Sequence, residues 1–306
     1  EIRYDEAAFG IEQGTPLPSG AVPVRATILY PAPFAALRER FCEGGDAAFM
    51  ASLRTAVPWY SGKGGKSGST FLKTTDDRYL LKQVPRSEFW AFHEHAPTYF
   101  SFVSKTPTTL PSALVKVLAC VVVEYRPSPG SNKLVTDYLL VQENLFYGKN
   151  VARMCDLKGA QRKDRGAFED ENETVIDENL FKFNNGYPLL LSEAAKQRLT
   201  RALWNDTLFL ASINVMDYSL LVGMVQTSSG QGGQAAGAGA SITVSDGRGE
   251  EWTLVVGLID YCRQFAWKEE VESRIKRATV IQPKQYKRRF REALHRYFMA
   301  SIAKYE

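Results

Sequence analysis

The chain has 306 residues, 44% of them apolar, and 38 Lys and Arg stand against 34 Asp and Glu for a net charge of +4. That supports one large domain or two lobes with a sizeable core, in the composition range of a soluble globular protein. Cys42, Cys120, Cys155 and Cys262 are far apart without a CxxC pair, and the three histidines add no zinc spacing, so reduced thiols in a cytosolic setting are expected. The longest apolar stretch, 114–125, is short and carries Lys116, which excludes a bilayer span; with no initiator Met and no secretory signal, a fragment of a longer chain is expected.

In chain order, residues 1–48 mix Pro, Gly and charge around one extended stretch, 22–30, and helical spacing follows in "FAALRERF" and "DAAFMASLRTAV". Residues 59–86 predict a glycine-rich loop, a strand, a Thr-Asp-Asp turn and a second strand. "RSEFWAFHEHAPTYFSFVS" predicts a helix broken near Pro97, and two β-rich runs flank the turn "RPSPGSNK". The first half therefore predicts a mostly antiparallel sheet with one or two helices. After "ENLFYGKN" come one more strand, "VARMCDLKG", a polar loop over 159–178, and an amphipathic helix over 192–213 capped by Ser192. "LLVGMVQ" and "WTLVVGLIDY" can pair across a low-complexity Gly/Ala/Ser linker at 228–241, and a last helix starts near Pro283 and is expected to run on through "FMASIAKY".

Three features carry chemistry. Asp217 sits in "INVMDYSLLVG", a run otherwise built for burial, where an unpaired carboxylate is expensive; a turn or cap role is the plain alternative. Asp260 ends a second buried β-rich run 43 residues on. In the first half the loop "GKGGKSGS" precedes a strand, which argues against Walker A and Rossmann motifs, and leads to Lys82 in "YLLKQV" and then Glu88. A glycine loop, a strand lysine, a helix glutamate and two later aspartates follow the order of protein kinases, although His-Arg-Asp, Asp-Phe-Gly and Ala-Pro-Glu are absent. The charge is also uneven: residues 261–296 hold eleven Lys/Arg against four Glu, a local +7 that leaves −3 for the remainder. Such a segment suits an anionic partner, or is simply a solvated helix.

"GKSGSTF", "DDRYLLK", "ENLFYGKN", "DLKGAQRKDR", "DENL", "MDYSLLVG" and "VVGLIDYCRQFAW" stand in the order of the phosphatidylinositol phosphate kinases, which the chain resembles over about residues 55–300. "SGKGGKSGSTF", "LKQVPRSE", "APTYF" and "ENLFYGKN" look most like the catalytic domain of phosphatidylinositol 3-phosphate 5-kinases of the PIKfyve type; type I kinases usually carry paired lysines where this chain has Lys268-Glu269-Glu270. The resemblance implies an α+β, bilobal kinase-like fold, with an antiparallel-sheet N-lobe over 1–141 and a mixed α/β C-lobe over 142–306. It implies ATP phosphates covered by Gly65, Ser67 and Gly68, Lys82 on the α/β-phosphates and paired with Glu88, and an adenine-contacting stretch of Glu143, Asn144 and Leu145. Asp217 would be the catalytic-loop aspartate, Lys158 would stand beside the phosphates, and Asp260 would hold Mg2+.

Arg162 and Arg165 are implied for the lipid headgroup, and Lys276, Arg277, Lys284, Lys287 and Arg288 for headgroup or membrane. The expected partners are ATP, a phosphoinositide, an anionic membrane surface and further domains of a longer chain, without nucleic acid. The expected location is cytoplasmic, peripheral on endosomal or vacuolar membranes. The expected reaction converts phosphatidylinositol 3-phosphate to the 3,5-bisphosphate; a 4-phosphate 5-kinase, a 5-phosphate 4-kinase and a non-catalytic phosphoinositide-binding module are the alternatives. Two departures stand out: Ala160 replaces the usual Ser after "DLKG", and the stretch from Lys268 to Tyr286 is short for an activation segment.

Overall fold

The computed structural model describes residues 2–5, 24–59, 70–106, 108–128, 130–159, 175–176, 180, 187–226, 241–245, 251–265 and 281–301. The chain divides into two units: Glu1–Ser61, Gly65–Phe100 and Lys116–Asn144 in the first, Gly62–Gly64, Ser101–Val115 and Leu145–Glu306 in the second.

The first unit contains β1 (Ile2–Asp5), β2 (Val24–Leu29), α1 (Pro31–Phe41), α2 (Gly45–Leu53), β3 (Ala56–Trp59), β4 (Phe71–Thr74), β5 (Tyr79–Gln83), most of α3 (Arg86–Val103), β6 (Val117–Tyr125) and β7 (Val135–Glu143). Its strands form one antiparallel sheet in the order β1-β2-β6-β7-β5-β4-β3. Ala26, Phe49, Tyr79, Leu81, Leu118, Ala119, Val121 and Val141 form its core. Strand β3 extends the sheet where sequence periodicity had continued the preceding helix, because Ala56 and Val57 pair with Thr74 and Lys73.

Helix α3 buries Phe89, Phe92, Ala96, Tyr99 and Val103, spaced three and four apart on one face. It is not broken at Pro97, contrary to the sequence expectation. A proline there cannot donate to the carbonyl four residues back, that of His93. The Tyr30 hydroxyl donates to that carbonyl at 3.0 Å instead, so the freed acceptor is satisfied and the helix runs on.

The second unit contains β8 (Val151–Leu157), β9 (Val175–Ile176), β10 (Leu189–Leu191), α4 (Glu193–Ser212), β11 (Ser219–Gln226), β12 (Ser241–Ser245), β13 (Glu251–Ile259), α5 (Pro283–Tyr297) and β14 (Phe298–Ala300). Its mixed sheet has the order β14-β10-β12-β13-β11-β8-β9, parallel at β10–β14 and β8–β9. The Ser192 hydroxyl accepts from the Ala195 amide at 3.3 Å, so α4 starts at the expected cap. Strands β11 and β13 pair as expected, from Ser219 with Ile259 to Gln226 with Trp252.

Two further expectations are corrected. Ser241, assigned to the linker, opens β12, where buried Ile242 and Val244 alternate with exposed Thr243 and pair with Leu254 and Trp252. The last helix stops at Tyr297, because Phe298–Ala300 pair in parallel with Leu189–Leu191 and the chain there becomes the sheet edge. The expected α+β class stands, with one antiparallel and one mixed sheet.

Candidate functional site

Three strand ends of the second unit define the site. The ladder pairs Leu157 of β8 with Leu220 of β11, and Ser219 of β11 with Ile259 of β13. Lys158 follows β8, Asp217 precedes β11 by two residues and Asp260 follows β13, so antiparallel register delivers all three to the same end of three neighbouring strands. Continuous apolar runs fix that register: Leu157, Leu220, Val222, Leu254 and Leu258 are fully buried.

Asp217 and Asp260 both adopt left-handed backbone, at φ 63° and 60°, as does Asn214 at 57°. Asp and Asn tolerate this region better than most residues, which explains why turns of this shape carry them. The two loops are tied to each other. Val215 and Gln264 form an antiparallel bridge, the Met216 amide donates to the Arg263 carbonyl at 3.2 Å, and the Phe265 amide donates to the Asn214 carbonyl at 2.9 Å.

The apolar neighbours of Asp217 go inward, with Val215 2%, Met216 5% and Tyr218 0% exposed, while its own side chain remains 40% exposed. Its Oδ1 lies 3.6 Å from Lys158 Nζ and its Oδ2 accepts from Arg263 Nη1 at 3.3 Å. Lys158 Nζ also donates to the Asp217 carbonyl at 3.2 Å. Asp217 is thus both a turn residue and a paired carboxylate. Arg263 was not singled out from the sequence; its place three residues after Asp260, in the loop bonded to the Asp217 loop, is the signal that could have found it. Burial pushes the Tyr218 phenol well above its ordinary pKa, with Arg291 and Arg289 pulling the other way.

The first unit holds other predicted residues. Lys82, 9% exposed, lies opposite Phe71 in the β4–β5 ladder, its Nζ 5.8 Å from that ring. Glu88 is half-buried in the first turn of α3. Glu143 Oε1 accepts from Lys116 twice, from the amide at 2.7 Å and from Nζ at 3.2 Å. The amides of Glu143 and Asn144 donate to Lys116 and Arg78 carbonyls, so both are committed within the unit. Leu145, in the second unit, packs against Gly257, where an added Cβ would meet its Cδ2 at 3.0 Å. Gly65, Ser67, Gly68, Arg162, Arg165, Lys276 and Arg277 lie outside the described residues, as do Ala160 and most of the 268–286 stretch.

The basic segment divides. Lys284 and Arg288 are exposed and Lys287 is half-buried, and Arg288 pairs with Glu292 at 2.8 Å. Arg291 turns inward, donating to Thr207 Oγ1 at 2.9 Å and the Trp204 carbonyl at 2.7 Å, with its guanidinium 4.5 Å from the Trp204 ring centre. The expectation of one solvent- or membrane-facing basic helix fails for Arg291, because α4 supplies acceptors and a ring for it.

Among the described residues no group of three or more His, Cys, Asp and Glu could hold a metal. An all-protein cage is therefore absent there, whereas Mg2+ commonly takes one or two carboxylates and completes its octahedron with water and phosphate oxygens. Asp260, at the end of β13, fits that second kind of site. No helix among the described residues is long and apolar enough to cross a membrane.

A family model described as "Phosphatidylinositol-4-phosphate 5-Kinase" matches residues 60–241. The 1-phosphatidylinositol 3-phosphate 5-kinase FAB1 of Saccharomyces cerevisiae is 38% identical over 82% of this chain and 11% of its own length. The 1-phosphatidylinositol-3-phosphate 5-kinase FAB1A of Arabidopsis thaliana is 36% identical over 92% of the chain and 15% of its own length. The 1-phosphatidylinositol 3-phosphate 5-kinase of Homo sapiens is 34% identical over 89% and 12%. The chain thus spans less than a sixth of the length of these three relatives. A match over more than half the chain, joined by relatives above 30% identity across most of it, makes this chain a member of the phosphatidylinositol phosphate 5-kinase family.

Proposed function

We propose that this chain is the catalytic unit of a lipid kinase that moves the γ-phosphate of ATP to the 5-hydroxyl of phosphatidylinositol 3-phosphate, giving the 3,5-bisphosphate. The reading is carried by the shared strand end of Lys158, Asp217 and Asp260, in a chain 34–38% identical to proteins named as 3-phosphate 5-kinases. Phosphoryl transfer asks a protein mainly for positioning and charge neutralisation.

In this reading Asp217 accepts a hydrogen bond from the attacking hydroxyl and orients it in line with the γ-phosphate. Lys158, already in contact with Asp217, neutralises charge on the transferring group. Asp260 is the carboxylate that would hold magnesium, which would supply positive charge to offset that of the phosphates. Lys82 reaches the α/β-phosphates with Glu88 as its partner, Gly65, Ser67 and Gly68 cover the phosphates, and Glu143–Leu145 meet the adenine. Arg162, Arg165, Lys276 and Arg277 serve the headgroup. Lys284, Lys287 and Arg288 face an anionic leaflet, where each basic side chain adds attraction that salt weakens. The enzyme then works as a peripheral protein on cytoplasmic faces of endosomal or vacuolar membranes, with further domains of a longer protein directing it.

The wording of the family description favours a second reading, a 4-phosphate 5-kinase. Vesicles carrying each of the three phosphatidylinositol monophosphates, supplied with radiolabelled ATP and Mg2+, separate the two. Preferential labelling of the 3-phosphate supports the first reading; preferential labelling of the 4-phosphate replaces it with the second. Binding to all three without labelling any leaves a phosphoinositide-binding module.

A further inference from the structure

The last pair of the β8–β11 ladder is Leu157 with Leu220, so the peptides of Lys158 and Tyr218 lie just beyond it. Helix α5 bonds to both of these peptides. The Tyr286 hydroxyl donates to the Tyr218 carbonyl at 2.5 Å and stands 3.4 Å from the Lys158 carbonyl. Arg289 Nη2 donates to that same Lys158 carbonyl at 3.4 Å, and its guanidinium lies 4.8 Å from the Tyr286 ring centre. Tyr286 is 2% exposed and meets the Tyr218 ring edge-on at 4.8 Å. Gly159, at φ 69°, lets the chain approach α5 so closely that a Cβ would stand 3.0 Å from Phe290 Cα and 3.3 Å from Ala293 Cβ.

We propose that Tyr286, assisted by Arg289, is a positioning residue for phosphoryl transfer: its hydroxyl ties the peptide after Lys158 to the peptide after Tyr218, one residue beyond Asp217, where the ladder has ended. The proposal rests on the kinase reading above. Two physical arguments support it. Asp217 sits in a left-handed turn that Asp tolerates, and a tie one residue away helps hold that turn in place. The Lys158–Asp217 contact joins two half-exposed side chains, which on their own hold a geometry poorly. Displacements of about 1 Å at a reacting centre cost on the order of 100-fold in rate.

Tyr286→Phe removes the hydroxyl and keeps the ring on Tyr218 and Phe290. In phosphatidylinositol 3-phosphate vesicles kcat is expected to fall about tenfold, with KM for ATP within about twofold of wild type. The thermal midpoint shifts by no more than about 4 °C, the scale of one lost hydrogen bond in a chain of this size. Independently of turnover, acetylation of Lys158 by an amine-reactive reagent, followed by peptide mass spectrometry against exposed Lys133, rises about threefold or more as the strand end opens. Arg289→Gln moves both readouts in the same direction and serves if the Phe variant fails to fold. Either readout at its wild-type value, in folded variant protein, overturns the proposal. If wild type labels no lipid, the kinase reading fails by itself, and the acetylation ratio still decides whether Tyr286 holds Lys158.

Discussion

The ammonium of Lys158 touches Asp217 at two points, its backbone carbonyl at 3.2 Å and its Oδ1 at 3.6 Å. One lysine therefore anchors both the main chain and the side chain of the aspartate to the end of β8. Arg263 grips the other carboxylate oxygen from the loop after Asp260. The aspartate is held by two cations from two different loops, yet its side chain remains 40% exposed.

Replacing Asp217 by Asn keeps a side chain that tolerates φ 63° and removes the charge. We expect kcat to fall by about 10²–10⁴, with vesicle binding retained, as measured by lipid phosphorylation and co-sedimentation. Asp217→Ala loses the same activity and an additional ~1 kcal/mol of stability, because alanine is poorer in left-handed backbone. Equal activity in wild type and Asp217→Asn contradicts the assignment.

The Lys116–Glu143 pair is a structural staple: the side chains are 9% and 17% exposed, and Lys116 Nζ lies 5.1 Å from the Phe41 ring centre. Lys116→Met leaves Glu143 the backbone amide bond but removes its countercharge, and is expected to cost about 3 kcal/mol in urea unfolding. Lys116→Met with Glu143→Leu recovers part of that loss, since no charge is left buried. A double variant weaker than the sum of the singles counts against the staple.

Helix α5 carries two kinds of basic residue, exposed and inward-turned. Charge reversal at Lys284 and Arg288, both exposed, should weaken binding to anionic vesicles several-fold and flatten its salt dependence while leaving the thermal midpoint near wild type. Arg291→Ala removes two hydrogen bonds and the Trp204 contact, so it should cost about 2–3 kcal/mol of stability and change vesicle binding little. Co-sedimentation and urea titration together check the split.

Stability should also decline at alkaline pH. Burial pushes the Cys155 thiol up to about 12 from its ordinary 9.0, with Arg153 pulling it down and Asp156 pushing it up. The folded protein then keeps a proton that the unfolded chain releases. The contribution is therefore whole below pH 9.0 and is lost as pH climbs toward 12. Urea midpoints should fall across that range, less steeply in Cys155→Val; the slope does not vanish, since the buried Tyr79 and Tyr218 phenols are raised too. Iodoacetamide should leave Cys155 unmodified in folded protein at about pH 8.

How much of the molecule is legible in its sequence depends on the range of the forces involved. The β11 and β13 runs and the Ser192 cap were legible because burial period and capping are local. Pro97 misled because its cost is offset by Tyr30, a residue 63 positions from the acceptor His93. Strand β12 was hidden beside a low-complexity linker although Ile242 and Val244 carry the period of two. Residues Phe298–Ala300 continue the apolar pattern of α5, and only pairing with β10 makes them a strand. At the site, Lys158 was found through the "DLKG" word, whereas Arg263 meets Asp217 only after two loops are bridged at Val215 and Gln264.

The most direct test of the central claim is the regiochemistry of product formed on phosphatidylinositol 3-phosphate vesicles by wild type and by Asp217→Asn, with Mg2+ and labelled ATP. Wild type is expected to give a 3,5-bisphosphate and the variant only a trace. A product phosphorylated elsewhere on the ring, or equal product from both proteins, would contradict it.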